Sequence, residues 1–206
     1  MGPAVWLITF FAVLTWSVIA PKDYFTWVLE STPALIAFVI LALTRKRFPL
    51  TPLTYQLILV HAVILMVGAH YTYAEVPLFD WLRDAFAWQR NNYDKVGHIA
   101  QGFIPAIVAR EILVRNDVVN GRVWLFVVVV SVCMAISALY ELIEWWVAEA
   151  SGESAVAFLA TQGDVWDTQS DMAWALLGAV LALVSVGPLH DRQLSALAAA
   201  QKRTPP

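Results

Sequence analysis

Long apolar segments constrain this chain more than any other feature of its sequence. The clearest of them covers residues 123–140 and reads VWLFVVVVSVCMAISALY. A helix that crosses a bilayer needs about 20 predominantly apolar residues. Hydrophobic residues make up 60% of the chain and charged residues 14%, against roughly 45–50% and about 25% in ordinary soluble domains. We therefore expect most of the chain to lie in a lipid bilayer. The bilayer is thus its predicted partner.

The apolar runs and the residues that break them predict an all-α, polytopic membrane protein, a bundle of about six transmembrane helices. The predicted spans cover residues 4–20, 25–43, 55–73, 94–114, 123–148 and 167–186. An amphipathic stretch at 76–89 is expected in the headgroup region. No Gly/Ser-rich or Pro-rich linker divides the chain, so residues 1–206 are expected to form a single integral membrane domain.

The positions of Lys and Arg predict the orientation of this bundle. Nine of the 13 basic residues fall in the loop between spans two and three, around the loop between spans four and five, or in the C-terminal tail. Because positively charged loops stay on the cytoplasmic side, both termini are expected to be cytoplasmic. His190 falls in the tail, and we expect it to be solvated there.

The charge balance and the cysteine content exclude other classes of function. A formal net charge of −3 and a pI near 5.7 provide no basic surface for binding nucleic acid. Cys133 is the single cysteine and lies within an apolar run, so neither an intrachain disulfide nor a cysteine zinc site is expected. The sequence does not indicate an oligomeric state.

Acidic residues gather at the predicted outer end of the spans. A charge at the centre of a membrane helix costs about 2.5–3.5 kcal/mol on insertion scales, so charges in or near spans call for an explanation. Twelve of the 16 Asp and Glu residues lie at outer span ends or in outer loops: Asp23, Glu75, Asp80, Asp84, Asp94, Glu141, Glu144, Glu149, Glu153, Asp164, Asp167 and Asp171.

Several of these acids recur at helical spacing on three different spans. Span four carries Asp94, His98 and Gln101 along one face. Span five carries Glu141 and Glu144 at its outer end, and the start of span six carries Asp164, Asp167 and Asp171. Small residues, Ala175 and Gly178, extend the face of span six and suit close helix packing. The three faces are expected to meet at one level of the membrane.

Crowded carboxylates repel one another unless something neutralises them, and a divalent cation does so economically. The predicted metal ligands are His98, Glu141, Asp167 and Asp171; Asp94 orients His98 or joins as a ligand, and Glu144 is the predicted general base. Further members of the predicted site are His70, Asp164, Gln101, Lys95 and Tyr140. Oxygen and imidazole ligands do not distinguish Zn²⁺, Mn²⁺, Fe²⁺ and Mg²⁺.

Other interpretations of the same residues stay open. Lys95 and Arg90 are alternative counter-ions for the acids, and protonation of the carboxyls is another way to neutralise them. Asp94 and Asp167 suit N-terminal capping of their helices. His61 is expected to be a packed or snorkelling side chain rather than a member of the site.

Four segments carry a resemblance to a known family. Residues 68–73, 92–102, 140–145 and 161–172 together resemble the DUF2238 family of bacterial inner-membrane proteins, typified by YjdF. The resemblance covers most of the chain. It implies a multi-pass protein of the six-helix class in the bacterial inner (cytoplasmic) membrane.

A looser similarity reaches the VanZ-like membrane proteins, which are associated with glycopeptide resistance. Their pattern is met by Asp94-Lys95-x-x-His98, by Tyr140-Glu141-x-x-Glu144 and by Asp171. The chain differs at Ala175, where an Asn is usual. The similarity implies that the acid and histidine residues form a shared site.

Three functional hypotheses follow from the cluster. The first is a metal-binding membrane protein that acts as a hydrolase or transferase on a lipid-linked or envelope substrate. The second is a proton- or cation-coupled transporter, for which Gly102 and Pro105 hint at a broken helix. The third is a structural or assembly protein in which the acids serve helix packing alone.

Overall fold

A computed structural model of the chain describes residues 1–151 and 156–203. Within those residues the fold is entirely helical. The helices are α1 (Pro3–Val18), α2 (Tyr24–Thr44), α3 (Pro52–Tyr71), α4 (Pro77–Phe86), α5 (Tyr93–Arg115), α6 (Arg122–Ser151), α7 (Val156–Leu159), α8 (Asp167–Ser185) and α9 (Gly187–Arg203). Glu153, one of the acids grouped above, lies outside the described residues.

Every predicted span is a helix in the structure, with ends that differ by at most three residues. By length and composition, α2, α3, α6 and α8 are able to cross a membrane. α1 has 16 residues, and α5 carries several charged residues in its 23 residues. At about 1.5 Å per residue, α5 is roughly 34 Å long, which exceeds a hydrocarbon core of about 30 Å. The chain is a polytopic helical membrane protein; the count of six spans stays a prediction.

The two ends of the bundle differ in charge. We call the end at which α2, α5 and α8 begin the acidic end, and the opposite end, where α3 and α6 begin, the basic end. α1 begins at the basic end, since the Trp6 indole donates a hydrogen bond of 2.8 Å to the Tyr55 carbonyl near the start of α3. α9 packs at the same end, where Gln193 accepts a hydrogen bond of 2.8 Å from the Leu53 amide. The cytoplasmic location of the two termini stays a prediction.

α5 and α8 form the closest helix pair because small residues line their contact. A Cβ atom added to Gly178 on α8 would lie 2.1 Å from the carbonyl oxygen of Ile99 on α5. Ala175 and Ala179 are fully buried on the same face of α8. This close approach, which the small residues of span six predict, brings the polar faces of α5 and α8 together.

The expectation for His190 was wrong, because the tail is a helix that folds back onto the bundle. His190 on α9 is completely buried, and its Nε2 lies 3.1 Å from Oε2 of Glu111 on α5. Thr51 and Thr54 donate side-chain hydrogen bonds to the same carboxylate oxygen at 2.9 and 2.6 Å. A buried carboxylate needs such partners. The sequence pattern does not reveal them, because they come from segments far apart in the chain.

Candidate metal centre at the acidic end

Three buried side chains from two helices converge at the acidic end. Nε2 of His98 lies 3.3 Å from Oδ1 of Asp94 and 3.6 Å from Oδ2 of Asp171. One ligand atom from each of the three residues lies within 4.8 Å of the other two. Asp94 and His98 are one turn apart on α5, and Asp171 comes from α8, so the site depends on the packing of these two helices.

The hydrogen bonding of His98 fixes the role of each ring nitrogen. Nδ1 lies 3.1 Å from Oε1 of Gln101, and an amide oxygen only accepts, so Nδ1 carries a hydrogen. In a neutral ring, the lone pair of Nε2 then faces two carboxylate oxygens. A proton or a metal ion between these three atoms relieves that repulsion. Metal-binding histidines characteristically donate their other N–H to such a partner.

Asp171 has unused capacity to accept a hydrogen bond or to bind a cation. The residue is 3% exposed, and its Oδ1 has no hydrogen-bond partner among the described residues. Oε1 of Glu141, on α6, is likewise buried and without such a partner in the described part of the chain. Buried oxygens of this kind are costly unless a ligand, water or ion satisfies them.

Arg90, which lies just before α5, is the principal counter-ion of the neighbouring acids. Its guanidinium binds Asp167, and it lies 3.4 Å from Oδ2 of Asp94 and 3.4 Å from Oδ2 of Asp164. Burial acts to lower the pKa of Arg90, but the hydrogen bond and charge of Asp167, with the charges of Asp94 and Asp171, raise it above its usual value. Arg90 therefore remains charged at this end of the bundle.

Carboxylates around His98 and Arg90 outnumber the basic side chains that pair with them. The acids are Glu30, Asp94, Glu141, Glu144, Asp164, Asp167 and Asp171. Within the described part of the chain, Arg90 and His98 are the basic side chains that pair with these seven. The remaining negative charge favours protons or a cation at the site.

A cavity of about 130 Å³ lies beside the cluster and gives it room for a ligand; we call it the polar cavity because ionisable and amide side chains line one side of it. Asp94, His98 and Gln101 on α5 form one wall, and Glu144 on α6 forms another. On α2, Glu30 accepts a hydrogen bond of 2.9 Å from the Tyr140 hydroxyl of α6, which joins two walls. The cavity therefore has carboxylate, imidazole, amide and phenol groups along one side.

The end of α7 and the segment that follows it cover the cavity at the acidic end. Phe158 and Ala160 line the cavity and are 3% and 5% exposed. Gln162 holds this segment to Asn91 through two hydrogen bonds of 2.9 Å, one from the Asn91 amide and one to its carbonyl. Arg90 also donates to the Ala160 carbonyl at 3.3 Å. The cover is thus fastened to the loop before α5.

The structure brings most of the predicted site residues to one end but divides them into subsets. Asp94, His98, Asp171 and Gln101 form the central cluster, and Tyr140 and Glu144 line its cavity. Asp167 and Asp164 pair with Arg90, and Glu141 lies outside the three-residue cluster. Neither Asp94 nor Asp167 occupies the N-cap position, which Asn92 and Trp166 hold. The metal-binding roles of these residues stay predictions.

Two of the predicted additional residues do not join the cluster. His70 lies against α1, where its Nδ1 is 3.0 Å from the Ser17 carbonyl oxygen and its ring centroid is 4.5 Å from that of Trp16. Lys95 makes no ion pair with any side chain that the structure describes. Of the two basic residues weighed as counter-ions, Arg90 has that role in the structure.

Two residues outside the predicted site set, Tyr73 and Glu30, also line the cavity; the sequence left both a site role and a structural role open for Glu30 and indicated no site role for Tyr73. Tyr73 lies just past α3, with its ring packed against Gly68 and Gly97, where an added Cβ would be 2.2 and 2.9 Å from the ring. Glu30 comes from α2, on which no other acid repeats at helical spacing. Gly68 and Gly97 were the available sequence signal for Tyr73, because a glycine in a helix lets an aromatic ring pack close to the backbone.

Comparison with known proteins settles the family. Residues 2–192 match a family described as "Predicted membrane protein (DUF2238)". The chain belongs to the DUF2238 family. It is 51% identical over 187 residues to "Inner membrane protein YjdF" of Escherichia coli (strain K12), a match that covers 91% of this chain and 90% of that relative. No solved structure matches the chain.

Membership of the DUF2238 family confirms the first resemblance and the location. The chain is a multi-pass protein of the bacterial inner membrane. Family membership does not itself supply an activity, and the similarity to VanZ-like proteins stays a prediction. The arrangement of side chains at the acidic end must therefore carry any functional argument.

Proposed function

We propose that this protein binds one divalent cation at Asp94, His98 and Asp171 and uses it as a hydrolase or transferase on a lipid-linked or envelope substrate. The observation that carries the proposal is the convergence of three buried ligand atoms within 4.8 Å. A cation there would lie between Nε2 of His98 and the two carboxylates, and it would satisfy the free Oδ1 of Asp171.

The donor set suits a catalytic rather than a purely structural site. Three protein ligands leave coordination positions open, as catalytic centres require. Glu144 lines the cavity next to Asp94 and His98, so it is placed to accept a proton from an attacking water or hydroxyl group. Glu141 and Asp167 are additional carboxylates from α6 and α8 that would complete the ligand set or hold it in position.

Transport is the alternative that the proposed function must be tested against. Secondary transporters commonly bind their ions where membrane helices are interrupted. Here α5 continues from Tyr93 to Arg115 through both Gly102 and Pro105, so the predicted break does not occur. Cation flux into proteoliposomes that Glu141→Gln abolishes would favour transport.

Metal content of the purified full-length protein tests the proposal. After removal of metal with a chelator, Zn²⁺, Mn²⁺ and Mg²⁺ are titrated separately, and bound metal is measured by elemental analysis. We expect one ion per chain in the wild type and at least a tenfold loss of affinity in His98→Ala and Asp171→Asn. Unchanged stoichiometry in both variants would overturn the proposal.

Matched controls separate the site from general acidity. His70→Gln changes a histidine at the same end that lies against α1, and Asp84→Asn changes a carboxylate whose side chain is 72% exposed. Both are expected to bind metal as the wild type does. Glu144→Gln is expected to retain the ion and to lose metal-dependent release of the headgroup from a phosphate-bearing lipid. Retained turnover in this variant would remove Glu144 from the mechanism.

A further inference from the structure

An apolar groove continues from the polar cavity toward the basic end. It has a volume of about 600 Å³ and lies between α2 and α6, with α3 and α5 behind it. Its walls include Ile40 and Leu41 of α2, Val108 and Ile112 of α5, and Val132 and Ile136 of α6. Ile40, Ile112 and Ile136 are 53%, 44% and 39% exposed, so the groove opens sideways, toward the hydrocarbon of the bilayer.

The groove and the polar cavity share part of their walls. Residues that line both are Pro33, His61, Leu65, Pro105 and Ile136. At this junction, Nε2 of His61 is buried and has no hydrogen-bond partner among the described residues. A polar site that opens into an apolar groove has the chemistry of an amphiphile, with the head on one side and the chain on the other.

The cover at the acidic end and the length of the groove both favour a lipid. Phe158 and Ala160 lie over the cavity, whereas the groove opens on the flank of the bundle. From Pro33 to Thr44 the groove follows α2 for about 16 Å, at roughly 1.5 Å per residue. One leaflet of the hydrocarbon core is about 15 Å thick, so the groove is long enough for one acyl chain that spans a leaflet.

We infer that the groove between α2 and α6 binds a hydrocarbon chain of a membrane lipid that enters sideways, with its phosphate-bearing headgroup in the polar cavity. An ester group at the junction would supply the partner that Nε2 of His61 lacks among the described residues. This inference names the substrate class of the proposed function and rests on it for the contact between headgroup and metal. The chain-binding part depends on the groove alone.

Photolabelling of the full-length protein in nanodiscs tests the inference. The probe is a phosphatidic acid with a diazirine in one acyl chain, diluted into phosphatidylcholine, and the adducts are mapped by mass spectrometry. We expect adducts concentrated on groove residues of α2, α5 and α6. Ala37→Trp, which fills the α2 wall, and Ala109→Trp, which fills the floor on α5, should each reduce that labelling at least fivefold.

Val39→Trp is the matched control, since Val39 lies on α2, is 52% exposed and is outside the groove. Its labelling should equal that of the wild type. Labelling spread evenly over exposed residues such as Val39 and Leu43, and undiminished by either blocking variant, would show contact with bulk lipid only and overturn the inference. If one blocking variant does not fold, the other provides the same test from a different helix.

Two further measurements separate this inference from the metal proposal. His98→Ala should lose metal and keep the groove labelling of the metal-free wild type, and Ala37→Trp should keep metal while losing labelling. If the wild type is labelled in the groove but binds no metal, only the metal proposal is contradicted. A diacylglycerol carrying the same diazirine tests the headgroup. Metal should increase labelling by phosphatidic acid severalfold and leave labelling by diacylglycerol unchanged. An equal response of the two probes to metal would contradict a phosphate at the metal.

Discussion

Gly102 of α5 lies directly against the backbone of Ala175 of α8: a Cβ atom on Gly102 would be 1.8 Å from the Ala175 carbonyl oxygen. Side chains cannot relieve such a clash, because the opposing atom belongs to a helix backbone. The two helices would have to separate. Since Asp94 and His98 lie on α5 and Asp171 on α8, the same contact positions the candidate metal site.

Gly102→Ala is therefore expected to lower both stability and metal affinity. Overpacking typically costs about 1–3 kcal/mol, which corresponds to a drop of several degrees in the melting temperature of the detergent-solubilised protein. Gly187→Ala is the control, because an added Cβ there meets no atom within 4 Å. If Gly102→Ala melts and binds metal as the wild type does, the contact between Gly102 and Ala175 does not position the site.

Arg90 and Asp167 are expected to be energetically coupled. Arg90→Gln removes the counter-ion of Asp167, whose side chain is 9% exposed, and breaking such a buried pair by removing one partner costs about 3–5 kcal/mol. Asp167→Asn in the same chain should restore part of that loss, and a double-mutant cycle by thermal unfolding should give a coupling of about 1–3 kcal/mol. Additive effects would show that the pair is not an interacting unit.

Arg83→Gln is a useful reference for that cycle. Arg83 pairs with Asp80 and Asp84 on α4, and its side chain is 35% exposed. Exposed ion pairs contribute roughly 0–1 kcal/mol, so this variant should melt within a few degrees of the wild type.

His190 is expected to hold α9 to the bundle. His190→Ala removes the α9 partner of the Glu111 carboxylate, which is 0% exposed and keeps its hydrogen bonds from Thr51 and Thr54. Loss of one hydrogen bond to a charged group costs about 1.5–3 kcal/mol. Hydrogen exchange should show faster exchange across α9 but little change in α6. Ser195→Ala removes only an exposed hydrogen bond within α9 and should not change exchange. Unchanged protection of α9 in His190→Ala would show that other contacts hold it.

Asp23 is expected to contribute a pH-dependent cap to α2. Its carboxylate accepts a hydrogen bond of 2.6 Å from the Thr26 amide, which lowers the pKa of Asp23 below its usual value. A depressed pKa in the folded state means that the stabilisation is present above the unfolded pKa of about 3.9 and is lost as pH falls through the folded value. Asp23→Ala should thus cost about 1 kcal/mol at pH 7 and less near pH 3.

Asp23→Asn provides the comparison for this pH dependence. The amide oxygen of asparagine also caps helices but does not titrate. The difference in melting temperature between Asp23→Asn and Asp23→Ala should be the same at pH 7 and pH 3. A difference between Asp23→Ala and wild type that is equally large at both pH values would contradict the titration of the cap.

Helix positions and the small-residue face were predictable because they depend on neighbours along the chain. Apolar runs long enough for a bilayer place the ends of each predicted span within three residues of its helix, and Gly178 marks the close contact between α5 and α8. The i, i+4 spacing puts Asp94 and His98 on one face. Burial of His190 was not predictable, because it depends on α9 folding back to Glu111, which is 79 residues away in the chain.

The order of residues alone establishes a helical membrane protein with most of its acids at one end, since hydropathy and helical period are local properties that a bilayer enforces. Three-dimensional packing decides which acids meet which cations: Arg90 draws Asp167 and Asp164 to itself, and His98 remains with Asp94 and Asp171. It also decides that the polar cavity joins the apolar groove between α2 and α6. Such contacts join residues far apart in sequence, and no local pattern encodes their distances.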